Sequence, residues 1–238
     1  MKEVTMNPTR RFALRRSTSR ALALAVATVM ALGAAACDDS TAEPDVTGST
    51  SIPTSTSEVR ADVSALTDDE VAGLLWMREE EQLAHDVYVV LAESWGLRIF
   101  ENISASESTH IEAMSELLDR YGIDDPADGK APATYTDPAI QELYDQLVAD
   151  GSVSLEAALA VGALIEELDI SDLQTRTAAT EVDEITTVYG ALERGSRNHL
   201  RAFTSQLESL GVPYEPTQLD PGTFDAIVSS EMERGRDG

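Results

Sequence analysis

The chain has 238 residues, of which 42% are hydrophobic and 25% charged, enough apolar material to bury one compact core. Forty-three acidic residues against 17 basic ones give a net charge of -26, which excludes nucleic acid as a partner, because binding it needs a basic surface. A single cysteine, Cys37, excludes any disulfide within the chain.

The N-terminus reads as a targeting segment. Arg10, Arg11, Arg15, Arg16 and Arg20 form a basic region, residues 21–36 are an apolar run, and small residues lead to Cys37. The run is too short and wrongly flanked for a transmembrane helix, so residues 1–37 are expected to be a signal peptide and the protein to be exported. Thr9-Arg10-Arg11-Phe12-Ala13-Leu14-Arg15 resembles a twin-arginine signal, with Ala13 where the pattern has Phe; export as an unfolded chain is the alternative. Cys37 stands where a lipoprotein signal is cleaved and its new N-terminal cysteine acylated, which would anchor the protein to the outer face of a bacterial membrane. Ordinary cleavage nearby would leave it periplasmic or extracellular instead. Residues 38–66, rich in Ser, Thr, Asp and Pro, read as a disordered tether. Without residues 1–37, 11 basic and 42 acidic residues remain, a net charge of -31. Such a field concentrates cations near the surface, and it equally keeps an exported protein soluble.

The capping box Thr67-Asp68-Asp69-Glu70 opens the first long helix, which runs to about Ser94. The second spans about Ile99 to Tyr121 and stops at Gly122. Residues 123–153 form a long excursion holding a short helix between Asp137-Pro138 and Asp150-Gly151. Ser154 caps the third long helix, about Leu155 to Ala178, and the fourth runs from about Val182 to Leu210. Asp220-Pro221 opens a further short helix with Phe224, Ile227 and Val228. No strand pattern occurs. The expected fold is all-α: a four-helix bundle over 67–214, a long crossover between the second and third long helices, and a tail over 215–238.

Steps of three and four along each long helix trace its inward face. The first gives Leu74, Met77, Glu81, Ala84, Tyr88, Leu91 and Trp95; the second Phe100, Ile103, Glu107, His110, Met114, Leu117 and Tyr121. The third gives Leu155, Leu159, Gly162, Glu166, Asp169 or Ile170, and Leu173; the fourth Leu192, Ser196, His199, Phe203 and Leu210. Each stripe is apolar except near its centre, where an acid or histidine points inward. Burying charge is costly unless it is paired or bound to metal. Glu, Glu-x-x-His, Glu and His from four helices form the arrangement that holds two metal ions inside a bundle. Glu81, Glu107, His110, Glu166 and His199 are therefore expected metal ligands. Oxygen-rich ligation with some imidazole suits two iron ions, or manganese; zinc held by the same ligands stays open, while a cysteine-type zinc site does not. Glu79, Glu80, Glu112, Glu116 and Glu167 are read as solvated helix charges. Tyr88 could hydrogen-bond toward the site, a plain core tyrosine being the commoner case; His85 is expected at the surface or rim, and Arg197 and Arg201 to pair with surface acids.

Glu81-Gln82-Leu83-Ala84-His85-Asp86-Val87-Tyr88, Glu107-Ser108-Thr109-His110-Ile111-Glu112-Ala113-Met114 and Ile165-Glu166 resemble the metal-binding helices of ferritin-like proteins and rubrerythrins. More narrowly, Glu79-Glu80-Glu81, the run from Ala163 to Ile170, and Gly195-Ser196-Arg197-Asn198-His199-Leu200 resemble an exported ferritin-like family known as domain of unknown function 2202. The resemblance implies a ferritin-like bundle with a diiron site that oxidises Fe(II) with oxygen or peroxide. It also implies Glu-x-x-His on the fourth helix, where this chain has Ser196; Asp169 or Glu193 is expected to replace the carboxylate. Two further readings stand beside this one: a cell-surface module that sequesters metal without turnover, and a metal-free helical lipoprotein whose inward acids pair with histidines and arginines. The sequence leaves oligomeric state open, a homo-oligomer included.

Overall fold

The computed structural model describes residues 66–234; the signal segment, Cys37 and the tether up to residue 65 lie outside the described residues. Six helices and no strands are found among them: α1 (Asp68–Trp95), α2 (Arg98–Tyr121), α3 (Pro138–Gly151), α4 (Leu155–Ala178), α5 (Asp183–Ser209) and α6 (Pro221–Val228). The fold is an all-α bundle, and local chemistry sets its limits. Thr67 and Glu70 close the expected capping box on α1, and Asp137, Ser154 and Asp220 cap α3, α4 and α6 through their side chains. Gly96 and Gly122 end α1 and α2 at φ 62° and 67°, a left-handed conformation that other residues adopt only with strain. None of the described helices is long and apolar enough to cross a membrane.

The four long helices pack in the ring order α1, α2, α5, α4, with α3 laid against α1 and α4 and α6 against α5. Thr180, just past α4, donates to Glu70 at the start of α1 (2.5 Å), and Trp95 at the end of α1 donates to Gly151 just before α4 (3.0 Å), so α1 and α4 are antiparallel. The crossover therefore travels the length of the bundle. Leu210, expected inside, is 47% exposed, and Leu207 is buried in its stead because α5 is already ending there.

Three acids read as solvated are buried. Glu79, Glu80 and Glu167 are 3%, 4% and 0% exposed, while Glu112 and Glu116 are exposed as expected. Glu79 and Glu167 lie under segments that cover α1 and α4 from outside, whereas Glu80 lies between α1 and α4, near Asp172 and Arg176. Glu79 accepts from the backbone N–H groups of Thr136 and of Asp137 (2.8 Å), and Asp86 accepts from Ala133 N (3.0 Å) and Tyr135 Oη (3.1 Å), which pins the crossover to α1. Glu80 accepts from the Trp76 indole at 3.0 Å. Glu167 accepts from the N–H groups of Thr217, Gln218 and Leu219, each at 2.9 Å, and from Tyr214 Oη at 2.5 Å. Residues 215–234 thus dock on the bundle, with Leu219, Phe224 and Ile227 in its main core. Arg197 and Arg201 both pair with Glu233 (2.6 and 2.8 Å), and Arg201 is itself buried beneath that segment. Glu167→Ala removes the shared acceptor of three backbone donors, of which only that of Leu219 is on a buried residue, and should destabilise the protein by roughly 1–3 kcal/mol in urea unfolding, with hydrogen-exchange protection lost first at 217–219. A change under about 0.5 kcal/mol would show that this contact is not structural.

Candidate metal centre

The apolar core is split in two. One cluster holds Tyr88, Leu91, Phe100, Leu159 and Phe203; the other holds Leu74, Met77, Met114, Leu173 and Tyr189. Glu81, Glu107, His110, Glu166, Asp169, Ser196 and His199, none more than 9% exposed, occupy the mid-bundle level between the two on all four long helices. The inward stripes thus converge as the periodicity requires.

Glu107 stands at the middle. Its Oε2 lies 2.7 Å from His110 Nδ1, and its Oε1 lies 2.8 Å from His199 Nδ1. Glu81 Oε2 lies 3.1 Å from the same His110 nitrogen, and Glu166 Oε2 lies 3.5 Å from that of His199. Two groups result, Glu81–Glu107–His110 and Glu107–Glu166–His199, each able to bring one atom per residue within 4.8 Å of the others, with Glu107 shared. The imidazoles stack with centroids 5.6 Å apart and both turn Nδ1 to the carboxylates. Tyr88 Oη donates to Glu166 Oε1 at 2.5 Å, so of its two readings the bond toward the site is the one found. His85 sits at the rim, 2.9 Å from Asp86. Ser196 Oγ donates to Asp169 Oδ2, while Glu193 turns outward to Arg197 (2.7 Å) and Gln174 (2.9 Å).

Two supporting residues escape the stripe analysis. A Cβ on Gly195 would stand 2.5 Å from His110 Nε2, so only glycine lets α5 lie against that ring. Ser106 Oγ lies 3.0 Å from His199 Nε2 and fixes the ring from its far side. A small residue next to the Ser-x-x-His positions was the available signal for the first; the second has none, since serine on a polar helix face is unremarkable.

The charges do not balance internally. Burial pushes Glu81 up to about 7 in spite of the imidazole of His110, and burial with the fields of Glu81 and Glu80 pushes Asp169 well above its ordinary value. Glu166 is also raised by burial, although His199 opposes the shift. Burial works the same way on Glu107, but His199 and His110 on either side outweigh it and hold that carboxyl low. Desolvation of His199 is likewise outweighed by Glu107 and Glu166, which raise it to about 10. Five buried side-chain atoms among the described residues lack a hydrogen-bond partner, and four of them are here: Glu81 Oε1, Glu107 Oε1, Asp169 Oδ1 and His199 Nδ1. Glu107 Oε1 and His199 Nδ1 are close yet misaligned for a hydrogen bond, the geometry of donors converging on a common third point. Excess carboxylate, imidazole nitrogens facing inward and orphaned oxygens fit a pair of hard cations.

The matching family model is an uncharacterised protein domain, DUF2202, over residues 70–231. The chain belongs to the DUF2202 family. It is 44% identical over 170 residues to the uncharacterised protein MJ0754 of Methanocaldococcus jannaschii, spanning 71% of this chain and 92% of that one. The crystal structure of the hypothetical protein MJ0754 from Methanococcus jannaschii superposes with a TM-score of 0.69 at 40% identity, covering 77% of this chain and all of that one. The DUF2202 match takes in every residue of the polar layer as well as α6.

Because the Glu81 carboxyl is raised in the folded chain, it binds its proton more tightly there than when unfolded. Its contribution to stability therefore falls as pH rises from about 4.5 to about 7. In chelator-treated protein, Glu81→Gln should be the more stable form by roughly 1–3 kcal/mol at pH 8, with the difference fading below pH 4.5. Denaturant titration at the two pH values checks this, and a less stable variant at pH 8 would contradict it.

Proposed function

We propose that this protein is a ferritin-like, two-metal carboxylate protein whose natural metal is iron and which oxidises Fe(II) with oxygen or peroxide. The observation that carries the reading is the set of orphaned carboxylate and imidazole atoms gathered around Glu107 in a dry layer. Glu81, Glu107 and His110 would hold one ion, and Glu107, Glu166 and His199 the other; manganese or zinc would fit the same donors. A bound Fe(II) pair would supply two electrons, one from each ion, and peroxide reduction balances on them: H2O2, two electrons and two protons give two waters.

The chain's own groups do the rest. Glu107, reached by both imidazoles, is placed to span the two positions. His110 and His199, protonated in the metal-free layer, give up their protons as cations enter, so uptake releases acid. Tyr88 orients Glu166, and the apolar clusters above and below keep water away from the layer. The acidic surface draws cations toward the bundle. Export, with or without acylation at Cys37, belongs to the same reading and rests on the sequence of residues 1–37.

The test is oxygen and peroxide consumption against added Fe(II), for the wild type and for the double variant Glu107→Ala/His110→Ala. Turnover of many Fe(II) equivalents per chain, reduced to background in the variant, is the expected result. Consumption that stops at the capacity of the site would make the protein a sequestration module. Full stoichiometric uptake by the double variant would refute the site.

A further inference from the structure

We infer that Asp169 completes the cation position built by Glu81, Glu107 and His110, and that Ser196 is the residue that positions it. The inference rests on the two-cation reading above and makes the two positions unequal.

Asp169 lies one turn beyond Glu166 on α4, and Ser196 one turn before His199 on α5, so both share the faces that build the layer. Their hydrogen bond is a second α4–α5 rung beside the Glu166–His199 contact. Which ion the rung serves follows from Gly195. The backbone there abuts the His110 ring, so the neighbouring Ser196, and Asp169 bonded to it, belong to the His110 end of the layer. Ser196 occupies only Oδ2. The other oxygen, Oδ1, is fully buried without a partner, as is Glu81 Oε1, and a carboxylate 5% exposed leaves an oxygen bare in this way only at considerable cost. Ser196 Oγ also lies 3.0 Å from Leu192 O, so its single hydroxyl proton is shared between that carbonyl and Asp169, and the oxygen is anchored to its own helix. The His110 position then has four side-chain ligands, three of them carboxylates, and the His199 position has three.

Mn(II) added to the full chain, with the free ion measured by electron paramagnetic resonance, tests this without relying on turnover. The wild type should bind about two Mn(II) in two affinity classes. Asp169→Asn should weaken the tighter class about tenfold or more and leave the weaker class within about twofold. Ser196→Ala should weaken the same tighter class, and Ser196→Thr, which keeps the hydroxyl, should restore it. Should Asp169→Asn fail to fold, the Ala and Thr variants at 196 decide alone, and equal Mn(II) binding by both would overturn the inference. Two unchanged classes in a folded Asp169→Asn would also overturn it while leaving the two-cation reading intact; a wild type that binds no Mn(II) would overturn both.

Discussion

The structure is organised around one unfavourable act, the burial of four carboxylates opposite only two imidazoles at mid-bundle. Glu81, Glu107, Glu166 and Asp169 face His110 and His199 between two apolar clusters. Even with both rings protonated the layer keeps an excess of negative charge. A dry interior resists that charge by raising carboxyl pKa values, as it does at Glu81 and Asp169, or by admitting cations. The bundle supplies the framework that makes the second outcome possible. Four antiparallel helices, each giving up one or two apolar positions, hold the donors fixed while the clusters on either side provide the stabilisation that the layer itself withdraws.

Much of the remaining architecture keeps those helices in register. α1 and α4 carry acids on two faces, one toward the layer and one toward a segment that wraps the bundle. Glu79 and Asp86 tie down the crossover, and Glu167 ties down the residues leading to α6. Glu80-Glu81 and Glu166-Glu167 are thus adjacent pairs whose members differ in role: one points into the layer, and the other meets groups outside it. Between α4, α5 and their neighbours, close packing is permitted by glycine at two points. Gly162 lies where a Cβ would stand 2.5 Å from Phe203, and Gly195 lies against His110. Both belong to α4 and α5, the helices whose mutual approach sets the Asp169–Ser196 and Glu166–His199 contacts.

The helices and the inward face were legible because they rest on local rules. Capping residues and terminal glycines delimit α1 to α4 and α6, and spacing of three and four places Glu107 and His110 on the stripe of Phe100, Ile103, Met114 and Leu117. Burial of Glu79 and Glu167 was not legible, because it depends on what covers the outer faces of α1 and α4, and that of Glu80 depends on how α4 packs beside α1. Periodicity reports which residues share a face and says nothing of a loop arriving from elsewhere to donate hydrogen bonds to them. The docking of residues 215–234 through Glu167 and Glu233 is hidden for the same reason. Within the centre, the residue types and faces were readable, and the stripe already favoured Asp169 over Glu193; the bond that joins Asp169 to Ser196 came only from the geometry of α4 against α5.

The most direct test of the cation reading is anomalous diffraction from crystals of iron-loaded protein, recorded on both sides of the iron absorption edge. The account predicts two peaks within the polar layer, flanking the Glu107 carboxylate, one beside His110 Nδ1 and the other beside His199 Nδ1. A layer without anomalous density, in which Glu81, Glu166 and Asp169 are protonated and hydrogen-bonded to their neighbours, would contradict it.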